Sequence, residues 1–240
     1  MSTFLSIIIP AHNEENRLPG TLEQVTGFLA NQAFTWEFVI VENGSKDGTL
    51  AVAQRFAEKH KNIRVLQSEQ GKGAAVKRGM LDARGEYRFM CDADLSMPVE
   101  EILKFIPPDR EDLEIAIASR EAKGAVRYNE PSYRHLGGRG INYIVQALIL
   151  PGLNDTQCGF KCFRADVAEK IFSLQTLNGW SFDIELLFIA RRHKYRIEEI
   201  PNEGEKKIFP WEQIKSWSEI LDVTSTSNSA LEFEKDSKEN

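Results

Sequence analysis

Two aspartates separated by a single residue, Asp92 and Asp94, are the feature of this 240-residue sequence that points most directly to chemistry. They follow the apolar run Tyr87–Cys91, and their carboxylates would repel each other unless a positive charge neutralised them. A hard divalent cation, Mg²⁺ or Mn²⁺, would do so and would bridge to the oxygens of a diphosphate. Alternatively, one aspartate caps a helix and the other is solvated. We expect both to be metal ligands.

Polar turns follow three other apolar runs, at Pro10–Glu15, Glu42–Thr49 and Gln67–Gly79. In the second turn, Gly44 permits a tight bend that could hydrogen-bond a nucleobase or ribose, or simply join a strand to a helix. In the third, glycines flank Lys72 before a helical pattern, which would bring backbone N–H groups and a positive charge to a phosphate. The spacing is not that of a Walker motif, and a solvated basic face explains such charges equally well.

The elements that must position these turns alternate along the first half of the chain. Short β-rich runs predict strands at Phe4–Ile9, Trp36–Val41, Ile63–Leu66, Tyr87–Cys91 and Leu113–Ala118. Helical patterns between them predict helices at Leu18–Asn31, Gly48–Lys61, Ala74–Ala83 and Val99–Ile106. This alternation predicts an α/β fold with a mostly parallel, Rossmann-like sheet flanked by helices. Ligands of such sheets bind at the carboxyl ends of the strands.

The pattern changes after Ser119. The polar segment Glu121–Ser132 predicts a mobile loop, and an apolar helix is expected over Tyr133–Leu150. A strand, two helices and a strand are then predicted at Phe160–Phe163, Ala165–Phe172, Phe182–His193 and Tyr195–Ile200. Residues 224–240 have the composition of a disordered tail. Because neither a repeat nor a linker interrupts the chain, we expect a single domain.

The overall composition excludes several classes of protein. With 42% hydrophobic and 28% charged residues the chain can bury a core, and its net charge of −6 speaks against nucleic acid as a partner. No apolar run reaches the roughly 18 residues that span a bilayer, and Met1–Pro10 lacks the basic flank of a secretory signal. Three cysteines, an odd number, suit a reducing compartment. We therefore expect a cytoplasmic protein, with Cys158 and Cys162 as packing residues.

Taken together, the motifs resemble those of family-2 glycosyltransferases of the GT-A fold, in the dolichyl- and polyprenyl-phosphate glucosyltransferase and mannosyltransferase branch. The resemblance covers about residues 4–210 and rests on Pro10–Glu15, Glu42–Thr49, Gly71–Gly79, Asp92–Pro98 and Asp155–Lys161. The last motif, Asp-Thr-Gln-Cys-Gly-Phe-Lys, is closer to the glucosyltransferases. Two positions depart from the family: His12 stands where tyrosine is common, and Glu42-Asn43 stands where a pair of aspartates helps hold the base and ribose. The identity of the nucleotide therefore stays open.

The resemblance implies a catalytic domain over residues 1–223, with a nucleotide-sugar half at about 1–120 and an acceptor half at about 121–223. It implies a nucleotide-sugar site formed by Pro10, Ala11, Asn13, Glu14, Glu42, Gly44, Ser45, Gly71, Lys72, Asp92, Ala93 and Asp94. The implied acceptor site contains Arg134, Arg139, Gln157 and Lys161. Its implied catalytic residues are Asp155, Asp183 and Glu185, although the last two also suit the first turn of a helix electrostatically.

The activity implied by the resemblance is inverting transfer of a hexose, with glucose favoured, to polyprenyl or dolichyl phosphate. The donor would be UDP-glucose or GDP-mannose, and Mg²⁺ or Mn²⁺ would be the cofactor. One alternative is transfer to a hydroxyl of a soluble or glycan acceptor, and another is a non-catalytic module that binds nucleotide sugars. The apolar stretch Ile141–Leu153 would either contact the cytoplasmic face of a membrane peripherally or belong to the core.

Overall fold

The computed structural model of the protein describes residues 2–95, 97–110, 112–119, 122, 126–128, 149–201 and 203–205, with backbone alone for 126–128 and 203–205. The strands are β1 Leu5–Ala11, β2 Trp36–Glu42, β3 Ile63–Gln67, β4 Tyr87–Met90, β5 Ile115–Ser119, β6 Val126–Tyr128, β7 Lys161–Arg164, β8 Ile197–Pro201 and β9 Glu203–Glu205. The helices are α1 Leu18–Ala30, α2 Thr49–Lys59, α3 Lys72–Asp82, α4 Ala165–Leu174 and α5 Phe182–Arg192, and a 3₁₀ helix covers Val99–Phe105.

The predicted strands and helices of the described part are present, with ends that differ by a few residues. The segment Val99–Ile106, expected as an ordinary helix, forms the 3₁₀ helix, a geometry that proteins use for short runs. Strand β6 lies within the polar segment predicted as a loop and pairs with β9. Of the predicted helix Tyr133–Leu150, the structure describes only residues 149 and 150, which lie in a turn. Arg134, Arg139 and the predicted tail, 224–240, lie outside the described residues.

Seven strands form the main sheet in the order β3-β2-β1-β4-β7-β5-β8. Strand β7 runs antiparallel to both of its neighbours, β4 and β5, while the other described pairs in this sheet are parallel. The predicted mostly parallel α/β sheet of a single domain is therefore confirmed. None of the described helices has the length and apolar character needed to cross a membrane.

Helices cover both faces of this sheet because its central strands are apolar on both sides. In β1, Leu5, Ile7 and Ile9 pack with α1, α2 and the 3₁₀ helix. Ile8, which points to the other face, packs with α3, α4 and α5. Both layers are buried, and together they hold the strand ends in fixed positions.

The direction of β7 brings two distant parts of the sequence to one edge. Strands β1, β2, β3, β4 and β5 end at the same edge, because they run parallel to one another. Since β7 runs the opposite way, it begins at that edge, and so the segment before it, Asp155–Phe160, meets the turns that follow the parallel strands. The residues expected to do chemistry thus converge although more than 100 positions separate some of them in the chain.

Candidate active site

The turns after β1 and β2 are hydrogen-bonded to each other. Asn13, which has a left-handed backbone with φ of 56°, donates its N–H to Ser45 Oγ over 3.1 Å. Its side-chain Oδ1 accepts the N–H of Lys46 at 2.8 Å, and the N–H of Glu14 donates to Thr49 Oγ1 at 2.8 Å. Pro10 and Ala11 are the last residues of β1, beside the end of β2. These predicted nucleotide-sugar residues therefore form one continuous rim.

Glu42, at the end of β2, uses its carboxylate to shape the second turn. Oε1 accepts the N–H of Ser45 at 2.5 Å, and Oε2 accepts Gln67 Nε2 at 3.2 Å. Burial alone would raise the pKa of Glu42, but these hydrogen bonds outweigh it and lower that pKa, so the carboxylate stays ionised. Its neighbour Asn43 is 4% exposed, and none of the described groups donates a hydrogen bond to its buried Oδ1. The turn thus carries an acceptor atom that internal contacts do not use.

The turn before α3 is built by two glycines around Lys72. Gly71 has φ of 135°, a conformation that residues with a side chain rarely adopt, and a Cβ there would lie 2.3 Å from the carbonyl oxygen of Asn178. A Cβ at Gly73 would lie 2.6 Å from the carbonyl oxygen of Leu177. The main chain of the loop between α4 and α5 therefore occupies the space that side chains would need. The N–H of Ala74, in the first turn of α3, donates to the carbonyl oxygen of Asn178 at 3.2 Å, so this loop is bonded to the start of the helix.

Lys72 forms an ion pair with the first aspartate of the predicted metal pair. The distance from Lys72 Nζ to Asp92 Oδ1 is 2.6 Å, and the two side chains are 14% and 30% exposed. Burial alone would lower the pKa of Lys72, but Asp92 and Asp183 outweigh it and raise that pKa. A Cβ at Gly159 would lie 2.1 Å from Asp92 Oδ2, so the carboxylate occupies the space that a side chain at Gly159 would need. Asp92 is therefore fixed from two sides.

Asp94, two residues further on, lies in a strongly acidic part of this edge. Burial raises the pKa of Glu14, and the carboxylates of Asp94 and Asp47 raise it further, while Arg17 acts in the opposite direction. Between the two aspartates, the carbonyl of Ala93 accepts the hydroxyl of Thr21 at 2.5 Å. Among the described residues, no group of three acidic, histidine or cysteine side chains could by itself hold a metal ion. The two carboxylates fit Mg²⁺ or Mn²⁺, since these ions take further oxygen ligands from phosphates and water, and Lys72 lies beside one oxygen of Asp92.

Lys161, predicted to bind the acceptor, is fully buried. Its ammonium group donates to Asp183 Oδ1 and to the carbonyl oxygen of Cys158, both at 2.5 Å. Direct contact with the acceptor stays a prediction for Lys161, whose long side chain points into the core and whose charge is used there by Asp183 and Cys158. Burial raises the pKa of the Asp183 carboxyl, although Lys161 and Lys72 counteract that rise.

Glu185, predicted as catalytic, is also fully buried. Oε1 accepts the N–H of Thr176 at 2.9 Å and its hydroxyl at 2.6 Å, while Oε2 accepts the N–H of Leu177 at 2.9 Å. A direct catalytic role stays a prediction for Glu185, whose carboxylate is enclosed by these three donors.

Asp155 and Gln157 lie in the segment before β7. Asp155 is 1% exposed, and Gln157 is half-buried. Glu199 of β8 holds this segment, accepting the N–H of Asn154 at 2.8 Å and the N–H of Asp155 at 3.0 Å. Sequence reasoning missed Glu199 as well as the contact of Gly159 with Asp92. No local pattern marks Glu199, which lies 44 positions from Asp155, whereas the position of Gly159 next to a cysteine inside a polar motif was a usable signal.

The buried thiols fit the expected packing role. Cys91, Cys158 and Cys162 are buried and form no disulfide, and burial raises the pKa of the Cys91 and Cys162 thiols. A neutral thiol is a poor nucleophile and a poor metal ligand. The chemistry of this edge therefore comes from carboxylates, lysine and backbone N–H groups.

Comparison with known proteins identifies the family of this chain. Residues 6–172 match the profile of Glycosyl transferase family 2. A dolichyl-phosphate beta-glucosyltransferase of Trichomonas vaginalis is 38% identical, over 82% of this chain and 64% of that protein. That of Drosophila melanogaster is 36% identical, over 82% of this chain and 65% of that protein. The human dolichyl-phosphate beta-glucosyltransferase is 33% identical, over 90% of this chain and 74% of that protein. The chain therefore spans slightly less than two thirds of the Trichomonas and Drosophila relatives.

Solved structures support the fold. Glucosyl-3-phosphoglycerate synthase from Mycobacterium tuberculosis, crystallised with uridine diphosphate, superposes with a TM-score of 0.67 at 17% identity, over 95% of this chain and 80% of that one. The same enzyme crystallised with Mn²⁺, UDP-glucose and phosphoglyceric acid gives a TM-score of 0.66 at 17% identity, over 95% of this chain and 79% of that one. With a family profile over more than half of its length and relatives above 30% identity, the chain belongs to glycosyl transferase family 2.

Proposed function

We propose that this protein transfers glucose, with inversion, from a nucleotide diphosphate sugar to dolichyl or a related polyprenyl phosphate. The observation that carries the proposal is the meeting of the Lys72 turn with Asp92 and Asp94 at one edge of the sheet. Such an edge offers positive charge, backbone N–H groups and carboxylates to a diphosphate and its cation. The names of the relatives supply the sugar and the lipid.

UDP-glucose is the proposed donor. The relatives are named as glucosyltransferases, and the structurally similar synthase was crystallised with UDP-glucose and Mn²⁺. The rim formed by the first two turns, with the buried Oδ1 of Asn43, would face the base and ribose. GDP-mannose, the other donor considered, is an outcome that the assay below distinguishes.

Asp92 and Asp94 would hold Mg²⁺ or Mn²⁺. When bound, the cation supplies positive charge to the diphosphate that leaves. Lys72 adds a second positive charge at the same edge, because its raised pKa keeps the ammonium group protonated. The protein's own contribution is therefore to position the diphosphate and to stabilise its charge as the bond to the sugar breaks.

A phosphate acceptor fits the burial of the candidate bases. Asp155 and Asp183 are 1% and 3% exposed. A phosphate monoester, whose second pKa is about 6, already carries a nucleophilic oxygen at neutral pH and needs no base. That oxygen forms the new bond to the anomeric carbon from the face opposite the diphosphate, and the old bond breaks with its electron pair on the diphosphate oxygen. A hydroxyl acceptor would need a base in contact with it.

The lipid acceptor implies contact with a membrane. We place this contact at the cytoplasmic face and assign it to the apolar stretch 141–153, while Arg134 and Arg139 would bind the acceptor phosphate. Both arginines and most of the stretch lie outside the described residues. Co-sedimentation with vesicles that contain dolichyl phosphate tests this step, since protein that stays in the supernatant would contradict it.

The decisive experiment is a panel of radiolabelled donors, UDP-glucose and GDP-mannose, with dolichyl phosphate and either Mg²⁺ or Mn²⁺. We expect label from UDP-glucose in the organic phase, because only a lipid product partitions there. Label from neither donor in that phase would overturn the proposal, and label on a water-soluble acceptor would support transfer to a hydroxyl instead. Asp155→Asn separates the acceptors further: with a base-dependent hydroxyl acceptor the loss is in the ~10²–10⁴-fold range, and with lipid phosphate it is small.

A further inference from the structure

The loop between α4 and α5, Gln175–Trp180, is bonded to the start of α3. The carbonyl oxygen of Asn178 accepts the N–H of Ala74 at 3.2 Å. Lys77 donates its ammonium group to the carbonyl oxygen of Gln175 at 2.6 Å, and the Gln175 side chain donates to the carbonyl oxygen of Gly73 at 3.0 Å. The loop thus accepts hydrogen bonds from α3 and also donates one to it.

The loop and the start of α3 approach so closely that a residue with a side chain would not fit at Gly73. A Cβ at Gly73 would lie 2.6 Å from the carbonyl oxygen of Leu177 and 2.9 Å from that of Gly179. Contacts below 3.0 Å require something to move, and the atoms opposed here are backbone. The conformation of the Lys72 turn therefore depends on where the loop backbone lies.

Glu185 holds that loop backbone. It lies in the first turn of α5, is fully buried and accepts three hydrogen bonds from Thr176 and Leu177. A carboxylate is suited to this place because both of its oxygens accept and neither donates. Hydrogen bonds to a charged group are stronger than those between neutral groups. Glu185 is thus the anchor of the loop.

The far end of the loop reaches the ammonium group of Lys72 itself. The ring of Trp180 lies 5.0 Å from Lys72 Nζ, within the range of a cation–π contact. Asp92 holds the same ammonium group through the ion pair described above. The loop therefore contacts both the backbone of the turn and the charged end of its lysine.

We propose that Glu185 is a positioning residue that acts through the α4–α5 loop to hold Lys72 and the N–H groups of its turn in place for the donor diphosphate. The inference rests on the proposed function only in naming the ligand. The coupling of Glu185 to the turn is a property of the protein alone and can be measured without turnover.

The test compares Glu185→Gln with Glu58→Gln, the same change at an exposed site on α2. Glutamine keeps the shape but turns an N–H₂ group toward a backbone N–H, so the loop loses an acceptor where it needs one. We expect amide hydrogen exchange at residues 71–75 to accelerate by about 10- to 100-fold in Glu185→Gln, and the affinity for UDP with Mn²⁺ to fall by a similar factor. Thr176→Val, which removes only the hydroxyl donor, should shift both quantities in the same direction by less.

These measurements test the positioning role of Glu185 separately from the proposed transferase activity. Faster exchange at 71–75 with weaker UDP binding supports the positioning role, even if the wild-type protein shows no transfer to dolichyl phosphate. Unchanged exchange and UDP affinity in a folded Glu185→Gln protein overturn it. A lower melting temperature with unchanged UDP affinity also overturns it, because that result describes a residue that stabilises the fold alone. For active protein, we expect KM for the donor to rise more than kcat falls.

Discussion

Lys161 and Asp183 form an ion pair inside the protein, with 2.5 Å between Nζ and Oδ1 and with side chains that are 0% and 4% exposed. The pair joins the first residue of β7 to the first turn of α5. Lys161 also donates a hydrogen bond to the carbonyl oxygen of Cys158. The next residue, Gly159, lies beside the carboxylate of Asp92. The interior of the protein is thereby connected to the edge that carries the candidate metal ligands.

Removal of the lysine should strongly destabilise the protein. Lys161→Met leaves a buried carboxylate without its partner, which typically costs about 3–5 kcal/mol. Burial raises the pKa of Asp183 and Lys161 lowers it, so the loss of Lys161 should raise that pKa above its wild-type value. The deficit should therefore grow as the pH rises through the native-state pKa values of Asp183, which lie above the ordinary value of 3.8, and shrink on acidification, when the carboxyl takes up a proton.

Urea unfolding at pH 5 and pH 8 measures this effect. Lys104→Met is the matched control, because it removes the same group from a pair with Glu101 in which the lysine side chain is 41% exposed. We expect at most about 1 kcal/mol for that control. Equal losses in the two variants, or a deficit that grows on acidification, would contradict the account of Lys161.

Gly159→Ala should disturb Asp92 without unfolding the protein. The new methyl group would lie 2.1 Å from Asp92 Oδ2, so the carboxylate must move relative to Lys72. We expect UDP affinity with Mn²⁺ to fall by at least ~10-fold, a loss of the size seen when support of a metal ligand is removed. The cost in unfolding free energy should stay within about 1–3 kcal/mol. Calorimetric titration measures the UDP affinity of Gly159→Ala and of the control Gly27→Ala in α1, where a Cβ meets no atom within 4 Å. Equal UDP affinities in the two variants would refute the prediction.

Asp94→Asn should remove the dependence of nucleotide binding on the cation. An amide binds Mg²⁺ and Mn²⁺ less well than a carboxylate, since it carries no charge. We expect the gain in UDP affinity on adding Mn²⁺ to fall by more than about 10-fold. Isothermal titration with and without Mn²⁺ measures the gain, and Asp109→Asn at an exposed position is the control. An undiminished gain in Asp94→Asn would exclude this residue as a ligand.

Glu37 should contribute stability that disappears in acid. Burial alone would raise its pKa, but hydrogen bonds from Ser6, the N–H of Arg84 and Arg64 outweigh it and lower the pKa below the ordinary value of 4.5. A lowered pKa means that this stability is present above pH 4.5 and is lost as the pH falls through the native-state value. At pH 7 we expect Glu37→Gln to lose about 1–3 kcal/mol.

The check is urea unfolding of Glu37→Gln and wild type between pH 7 and pH 3, with the exposed Glu23→Gln as the control. The unfolding free energies of Glu37→Gln and wild type should converge as the pH falls. If the difference in unfolding free energy stays constant over this pH range, the charge of Glu37 does not contribute to stability.

Local patterns in the sequence were enough to predict most of the strands and helices. They also predicted which residues meet at one edge of the sheet. The apolar runs that became β1, β2 and β4 were recognisable because a strand covered on both faces carries few polar residues. Asp92 and Lys72 could be assigned to the same edge, since each directly follows a parallel strand or opens the helix after one. Chain order and strand direction alone imply this meeting.

The tertiary structure decided which charged residues have their partners inside the protein. Lys161 and Glu185 carry the residue types of a binding site, but their partners are Asp183, Cys158 and the Thr176–Leu177 turn, at separations set by the packing of β7 and α5. Spacing along the chain carries no record of such contacts. Desolvation in the core makes them obligatory, because a charge buried there requires partners that the folded chain alone can supply.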